Sequence, residues 1–155
     1  MAHIHEKIDW TVEVFVVNDG AVLLRMHDKY KFWLSVGGHI ELDEEPTQAA
    51  LREVKEEVGL DAKLIGEVAQ VSEGEGYREL LPPRFMNIHA INETHQHVSL
   101  VYFATADSRE ITENVESEKS DNIRWFTRED LDDPNFGLRE TIRHYAYAAL
   151  DAAGV

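Results

Sequence analysis

The chain has 155 residues, 43% of them apolar, and 15 Lys and Arg stand against 30 Asp and Glu, giving a formal charge of −15. That size fits one domain with its own core, and such a surface repels nucleic acid polymers and anionic membranes. No apolar run reaches the roughly 18 residues of a membrane span, the start MAHIHEKIDW lacks a signal-peptide core, and the absence of cysteine excludes disulfides, thiolate metal sites and cysteine nucleophiles. The expectation is a single cytoplasmic domain over 1–155. Most of the acidity reads as solubility or adaptation to salt, because one metal site uses only about four or five carboxylates.

In chain order, WTVEVFVVNDGAVLLRM predicts two strands joined by a turn at Asn18-Asp19-Gly20. KFWLSV predicts a short strand running into Gly37-Gly38. The pattern from Pro46 to Val58 is helical: Pro46 suits the first turn, Gly59 the left-handed stop, and Ala50, Leu51, Val54 and Val58 form an apolar stripe. KLIGEVAQVS predicts a strand and EGEGYRELLPP, 73–83, a loop. RFMNIHAIN and HVSLVYFATA predict a strand pair across ETHQ, and NIRWF a further strand. Thr127 and Asp130 resemble a capping box opening a short helix at REDL, and GLRETIRHYAYAALDA predicts a closing helix with Leu138, Ile142, Tyr145 and Ala149 on one face. This order indicates one α/β domain with a mixed sheet.

Glu53, Glu56 and Glu57 stand at i, i+3 and i+4, on one helix face. Like charges so placed destabilise an isolated helix by about 0.2–0.5 kcal/mol per pair. Two readings are open: a solvated acidic face beside Arg52 and Lys55, or a site for a divalent cation. All-oxygen ligands select Mg²⁺ or Mn²⁺ over zinc. The wider stretch GHIELDEEPTQAALREVKEEVGL, Gly38 to Leu60, fills 23 of the 155 positions. At each fixed position it resembles the signature of the Nudix hydrolases.

That resemblance implies a Nudix α/β/α sandwich with a mixed central β-sheet. It also implies Mg²⁺-dependent hydrolysis, with Mn²⁺ as a possible substitute, of a nucleoside diphosphate linked to another moiety X. By the resemblance, Glu53, Glu56 and Glu57 are the helical metal ligands, and the Gly37 carbonyl is an extra one. Gly38 allows the sharp turn, and Glu44 pairs with Arg52 to tie the loop to the helix. The plainer readings are Glu44 as a helix N-terminal charge and Arg52 as a surface cation. Glu53 is the expected general base and Glu57 a metal ligand, with Arg52 and Glu44 completing the catalytic set. Relatives often add a glutamate from a later loop; NVESEK offers Glu118, with Glu116 as second choice. Many relatives have Pro where this chain has Val36, which bears on loop stiffness rather than on the ligand set.

WLSVGGHIE and NVESEK resemble MutT-like members, which implies a nucleoside triphosphate cleaved to monophosphate and pyrophosphate. A dinucleoside polyphosphate is the alternative suggested by Tyr77, seventeen residues after the box. ADP-ribose or a nucleotide sugar is another, although the proline expected fifteen residues beyond the box is Glu75. Arg25, Arg78 and Arg84 are expected phosphate contacts, or else surface cations. Phe32, Trp33, Phe85 and Tyr102 either stack on a base or pack in the core. His95 and His97 share one strand face and His89 lies on the strand before; three imidazoles can bind zinc, but lining a cleft or facing water is the plainer reading. His3 and His5 read as strand-edge or disordered residues. The implied partner is a small-molecule nucleotide, with neither nucleic acid polymer nor membrane, and family analogy adds a homodimer. The rival classes are a non-catalytic nucleotide-sensing module, against which the intact box argues, and an isomerase resembling isopentenyl diphosphate isomerase, against which the missing cysteine argues.

Overall fold

The run TVEVFVV is buried on both faces of its strand, and the fold is assembled around it. The computed structural model describes residues 3–27, 29–112 and 122–155. Their strands are β1 (Ile8–Asn18), β2 (Ala21–Met26), β3 (Trp33–Leu34), β4 (Val36–His39), β5 (Ala62–Leu64), β6 (Phe85–Ala90), β7 (Gln96–Ala106) and β8 (Ile123–Thr127). The helices are α1 (Pro46–Val58), α2 (Arg128–Asp132) and α3 (Glu140–Ala152).

One edge of β1 pairs in parallel with β7, from Ile8↔Gln96 to Val17↔Thr105. Its other edge is shared. The hairpin to β2 uses Val17↔Val22 and Asn18↔Ala21, while β4 uses Thr11↔His39 to Val14↔Val36. Asp19 and Gly20 both have positive φ, 45° and 76°, as a tight two-residue hairpin turn requires. The segment 33–39 changes partner midway, since β3 pairs with β2 and β4 with β1. β8 covers the outer edge of β2.

Alternation along β1 feeds two layers. Val12, Val14 and Val16, with Leu100, Tyr102 and Ala104 of β7, meet Ala49, Ala50, Val54 and Val58 of α1. Phe15 and Val17, with Val101 and Phe103, meet Ile142, Ala146, Ala149 and Leu150 of α3. Each fully buried large apolar side chain contributes roughly 1.5–3 kcal/mol. The result is the expected α/β/α sandwich on a mixed sheet. No helix among the described residues is long and apolar enough to cross a membrane.

Helix α1 has the expected bounds. Glu45 caps it, accepting from Thr47 N at 2.9 Å and Gln48 N at 2.8 Å, while the Gln48 side chain accepts from Glu45 N at 3.0 Å. Gly59 ends it at φ 72°. The apolar stripe needs one correction: Leu51 is 40% exposed, and Ala49 and Glu53 are inside. Positions 50, 54 and 58 define the buried line, and 49 and 53 flank it on the side that turns towards β4.

The strand expected over 63–72 is also corrected. Only Ala62–Leu64 is strand. A strand offers one hydrogen-bonding row per edge, and this edge of β7 is divided: β5 takes Ala104–Ala106 and β6 takes Gln96–Val101. Beyond the Ile65 N–H bond to Phe103 O there is no row left for 66–72, so the chain turns away at Gly66, φ 147°.

Candidate active site

Strand register positions the glycine pair. Val12↔Gly38 and Glu13↔Gly37 press β4 against β1, with α1 packed over β4. A Cβ on Gly37 would lie 2.0 Å from Val12 O, and one on Gly38 would lie 2.3 Å from Glu53 Oε1. Neither residue has positive φ, so close approach, not backbone conformation, demands glycine here.

Two of the three glutamates, Glu53 and Glu57, lie against that pair. The Glu53 side chain is 7% exposed and its Oε1 accepts from Arg52 Nη1 at 3.0 Å. Burial raises its proton affinity, and Arg52 offsets only part of that rise. Glu57 is also largely buried; it accepts from the Gly37 N–H at 3.3 Å. Arg25 Nε of β2 lies 3.2 Å from the same carboxylate, an ion pair without hydrogen-bond alignment. Glu56 is the exposed member, and Arg52 Nη1 reaches it at 3.1 Å.

Arg52 is the organiser. It grips Glu44 in a fork, Nε to Oε2 at 2.9 Å and Nη2 to Oε1 at 2.6 Å, and donates to His39 O at 3.0 Å. One planar guanidinium thus ties the loop, the glycine strand and two helix carboxylates together, which a lysine cannot do. Hydrogen bonding to Arg52 holds the Glu44 carboxyl below its ordinary range. The expected Glu44–Arg52 pairing is present in this geometry.

The remaining expected residues are spread wider. Tyr77 is exposed on the 73–83 loop and hydrogen-bonds Glu79. Arg78 is exposed, and its charge reaches the cap residue Glu45. Arg84 lies over the Phe103 ring, 5.5 Å from its centroid, on the α3 face. Glu118 and Glu116 fall outside the described residues. Trp33 and Tyr102 are core residues, whereas Phe32 lies under the Arg139 guanidinium at 4.3 Å.

A polar ledge escaped the sequence reading. Glu13 projects from β1 to the α3 face, one strand across from Gly37. Asn87 donates to Glu13 Oε2 at 3.4 Å and to Tyr145 Oη at 3.2 Å, and His89 meets Asn87 Oδ1 at 2.9 Å. Burial raises the proton affinity of Glu13, against the pull of Asn87 and Arg139. The signal was in the sequence: a lone carboxylate inside the apolar run TVEVFVV.

Carboxylates on one helix face, two of them against the glycine pair, offer oxygen-only ligands suited to a hard divalent cation. The glycine cradle keeps side-chain bulk away from them. A three-layer sandwich with this strand–loop–helix site defines a Nudix-type hydrolase. The chain belongs to the Nudix family: the NUDIX domain profile matches residues 7–146. A Nudix-family hydrolase from Clostridium perfringens is 34% identical, with a TM-score of 0.85 over 94% of this chain and 97% of that one. A CTP pyrophosphohydrolase of Escherichia coli (strain K12) is 29% identical over 103 residues, 62% of this chain and 76% of its own length. The MutT Nudix hydrolase from Burkholderia pseudomallei shares the fold at 23% identity, TM-score 0.63, covering 92% of this chain and 98% of that one. The protein is a Nudix pyrophosphohydrolase, and members of its family use a divalent metal to act on small nucleotide substrates.

Proposed function

We propose that the substrate is a nucleoside triphosphate, hydrolysed to monophosphate and pyrophosphate, with Mg²⁺ as the physiological cation and Mn²⁺ able to replace it. The observation that carries the nucleotide part of this reading is the Glu13–Asn87 ledge one strand from the glycine pair; the triphosphate part rests on the similarity to the E. coli enzyme. A carboxyl and a carboxamide side by side offer donors and acceptors suited to a base edge. The E. coli relative that is a CTP pyrophosphohydrolase agrees with a triphosphate.

Glu53, Glu56, Glu57 and the Gly37 carbonyl hold the cation, which when bound neutralises pyrophosphate oxygens and acidifies water. Glu53 takes the proton of the attacking water. Arg52 and Glu44 fix the carboxylates in place. Arg25 meets a phosphate beside Glu57. Arg84, on the face of Glu13, and Tyr77 and Arg78 on the 73–83 loop contact the rest of the nucleotide.

A panel of nucleoside triphosphates, nucleotide sugars, ADP-ribose and dinucleoside polyphosphates tests this, with product masses and separate readings of phosphate and pyrophosphate. The expected result is pyrophosphate release from a triphosphate, lost in chelator and in Glu57→Gln. Preferential cleavage of ADP-ribose or a nucleotide sugar refutes the substrate assignment, and binding without product refutes turnover.

A further inference from the structure

Away from the glutamates, four imidazoles gather around one buried carboxylate, with His89 beyond them against His97. Asp9, near the start of β1, is fully buried, and its Oδ2 has His3 Nδ1 at 3.0 Å, His39 Nε2 at 3.1 Å and His95 Nε2 at 3.2 Å. Its other oxygen accepts from the backbone of Ile4 and His5 at 3.1 and 2.6 Å. Parallel register sets His97 beside Asp9. The rings pack closely: His3 and His95 lie 3.8 Å apart, His39 and His97 4.9 Å, and His89 and His97 5.9 Å. His3 is therefore a member of this cluster rather than a loose terminal residue, and His95 is buried at 4% exposure rather than facing water.

The proton arrangement is frustrated. His95 Nδ1 lies 3.0 Å from Glu6 O, a carbonyl that only accepts, so Nδ1 carries the hydrogen. In the neutral ring Nε2 is then a lone pair, turned towards a carboxylate oxygen that is also an acceptor. Among the described residues it has no hydrogen-bond partner, and neither has the buried Nε2 of His97. A buried polar atom left unsatisfied is destabilising. A cation between these atoms satisfies all of them at once.

The structure assigns a second metal centre to this chain: His3, Asp9, His95 and His97 form a four-ligand site for Zn²⁺. One ligand atom from each lies within 4.8 Å of the others, and tetrahedral zinc, with bonds of about 2.0–2.1 Å, needs edges of about 3.3 Å. Three nitrogens and one oxygen favour zinc over Mg²⁺, in contrast to the all-oxygen set on α1. The Glu6 carbonyl orients His95 in the manner of an outer-shell partner. Four protein ligands leave no open position, so the centre is structural. It staples the arm before β1 to β7, and through His39, whose carbonyl accepts from Arg52, it steadies the strand that carries Gly37 and Gly38.

The test is calorimetric titration of chelator-stripped, desalted protein with Zn²⁺ in saturating Mg²⁺. One tight equivalent is expected, retained in Glu57→Gln and weakened at least about a hundredfold in His95→Ala and His97→Ala. Co²⁺ in place of Zn²⁺ should give the intense visible bands of a four-coordinate ion. Long-range ¹H–¹⁵N spectra of the wild-type imidazoles read the same site without a variant, which decides the matter if the alanine variants do not fold. Ring nitrogens that do not shift with one equivalent of Zn²⁺ overturn the proposal. So does zinc binding that disappears in Glu57→Gln or survives both histidine variants.

Discussion

Replacing Gly38 by alanine tests the cradle with a single methyl group. Gly38 does not have positive φ, so alanine brings no backbone strain, and the whole effect falls on Glu53. The new Cβ would lie 2.3 Å from Glu53 Oε1 and 2.6 Å from its Cδ. Ordinary contact begins at 3.4 Å, so the carboxylate must retreat by about 1 Å. It cannot do so freely, being 7% exposed and held by Arg52 at 3.0 Å. A displacement of about 1 Å in a reacting group lowers turnover about 10²-fold. Steady-state kinetics in saturating Mg²⁺, with far-ultraviolet circular dichroism as the folding control, measures it. The Gly38→Ala, Glu53→Ala pair should lose little more than Glu53→Ala alone, because both act through one carboxylate. Wild-type kcat/KM in Gly38→Ala, or full additivity in the double variant, refutes the cradle.

Arg52→Lys should lower the urea-derived unfolding free energy by about 2–3 kcal/mol, because Glu44, Glu53 and His39 O lose a shared donor that one ammonium cannot replace. In chelator, wild-type melting temperature should fall as pH rises above 4.5. The raised pKa of Glu53 contributes stability at low pH, and that contribution is lost as pH climbs through the folded-state value; Glu53→Gln should flatten this slope. Glu44 has the opposite sign, its stabilisation being lost as pH falls below 4.5, and Glu44→Gln should remove that acid limb. Glu13→Gln should raise KM about tenfold for the preferred nucleotide and flatten discrimination among bases, with kcat less affected; unchanged selectivity would separate the ledge from the base.

Much of this molecule was legible because its signals were local. The α1 bounds followed from Pro46 and Gly59, the hairpin turn from Asn18-Asp19-Gly20, and the carboxylate cluster from three glutamates at helical spacing. The failures were non-local. KLIGEVAQVS has strand composition, yet its row on β7 was taken by β6, which only sheet topology reveals. Glu13 and Asn87 lie 74 positions apart and meet across one intervening strand, β7. The histidines sit in four separate segments, and nothing in any one of them points to Asp9.

The central pairing of β1 with β7 has a consequence for biosynthesis. β1 leaves the ribosome 88 positions ahead of its parallel partner β7. At translation rates of about 5–20 residues per second, VEVFVV waits on the order of several seconds for β7, with only β2, β4 and α1 synthesised in time to cover it. Glu13 inside that run, with Asn18 and Asp19 at its end, stands where charged and polar residues interrupt apolar strands against self-association.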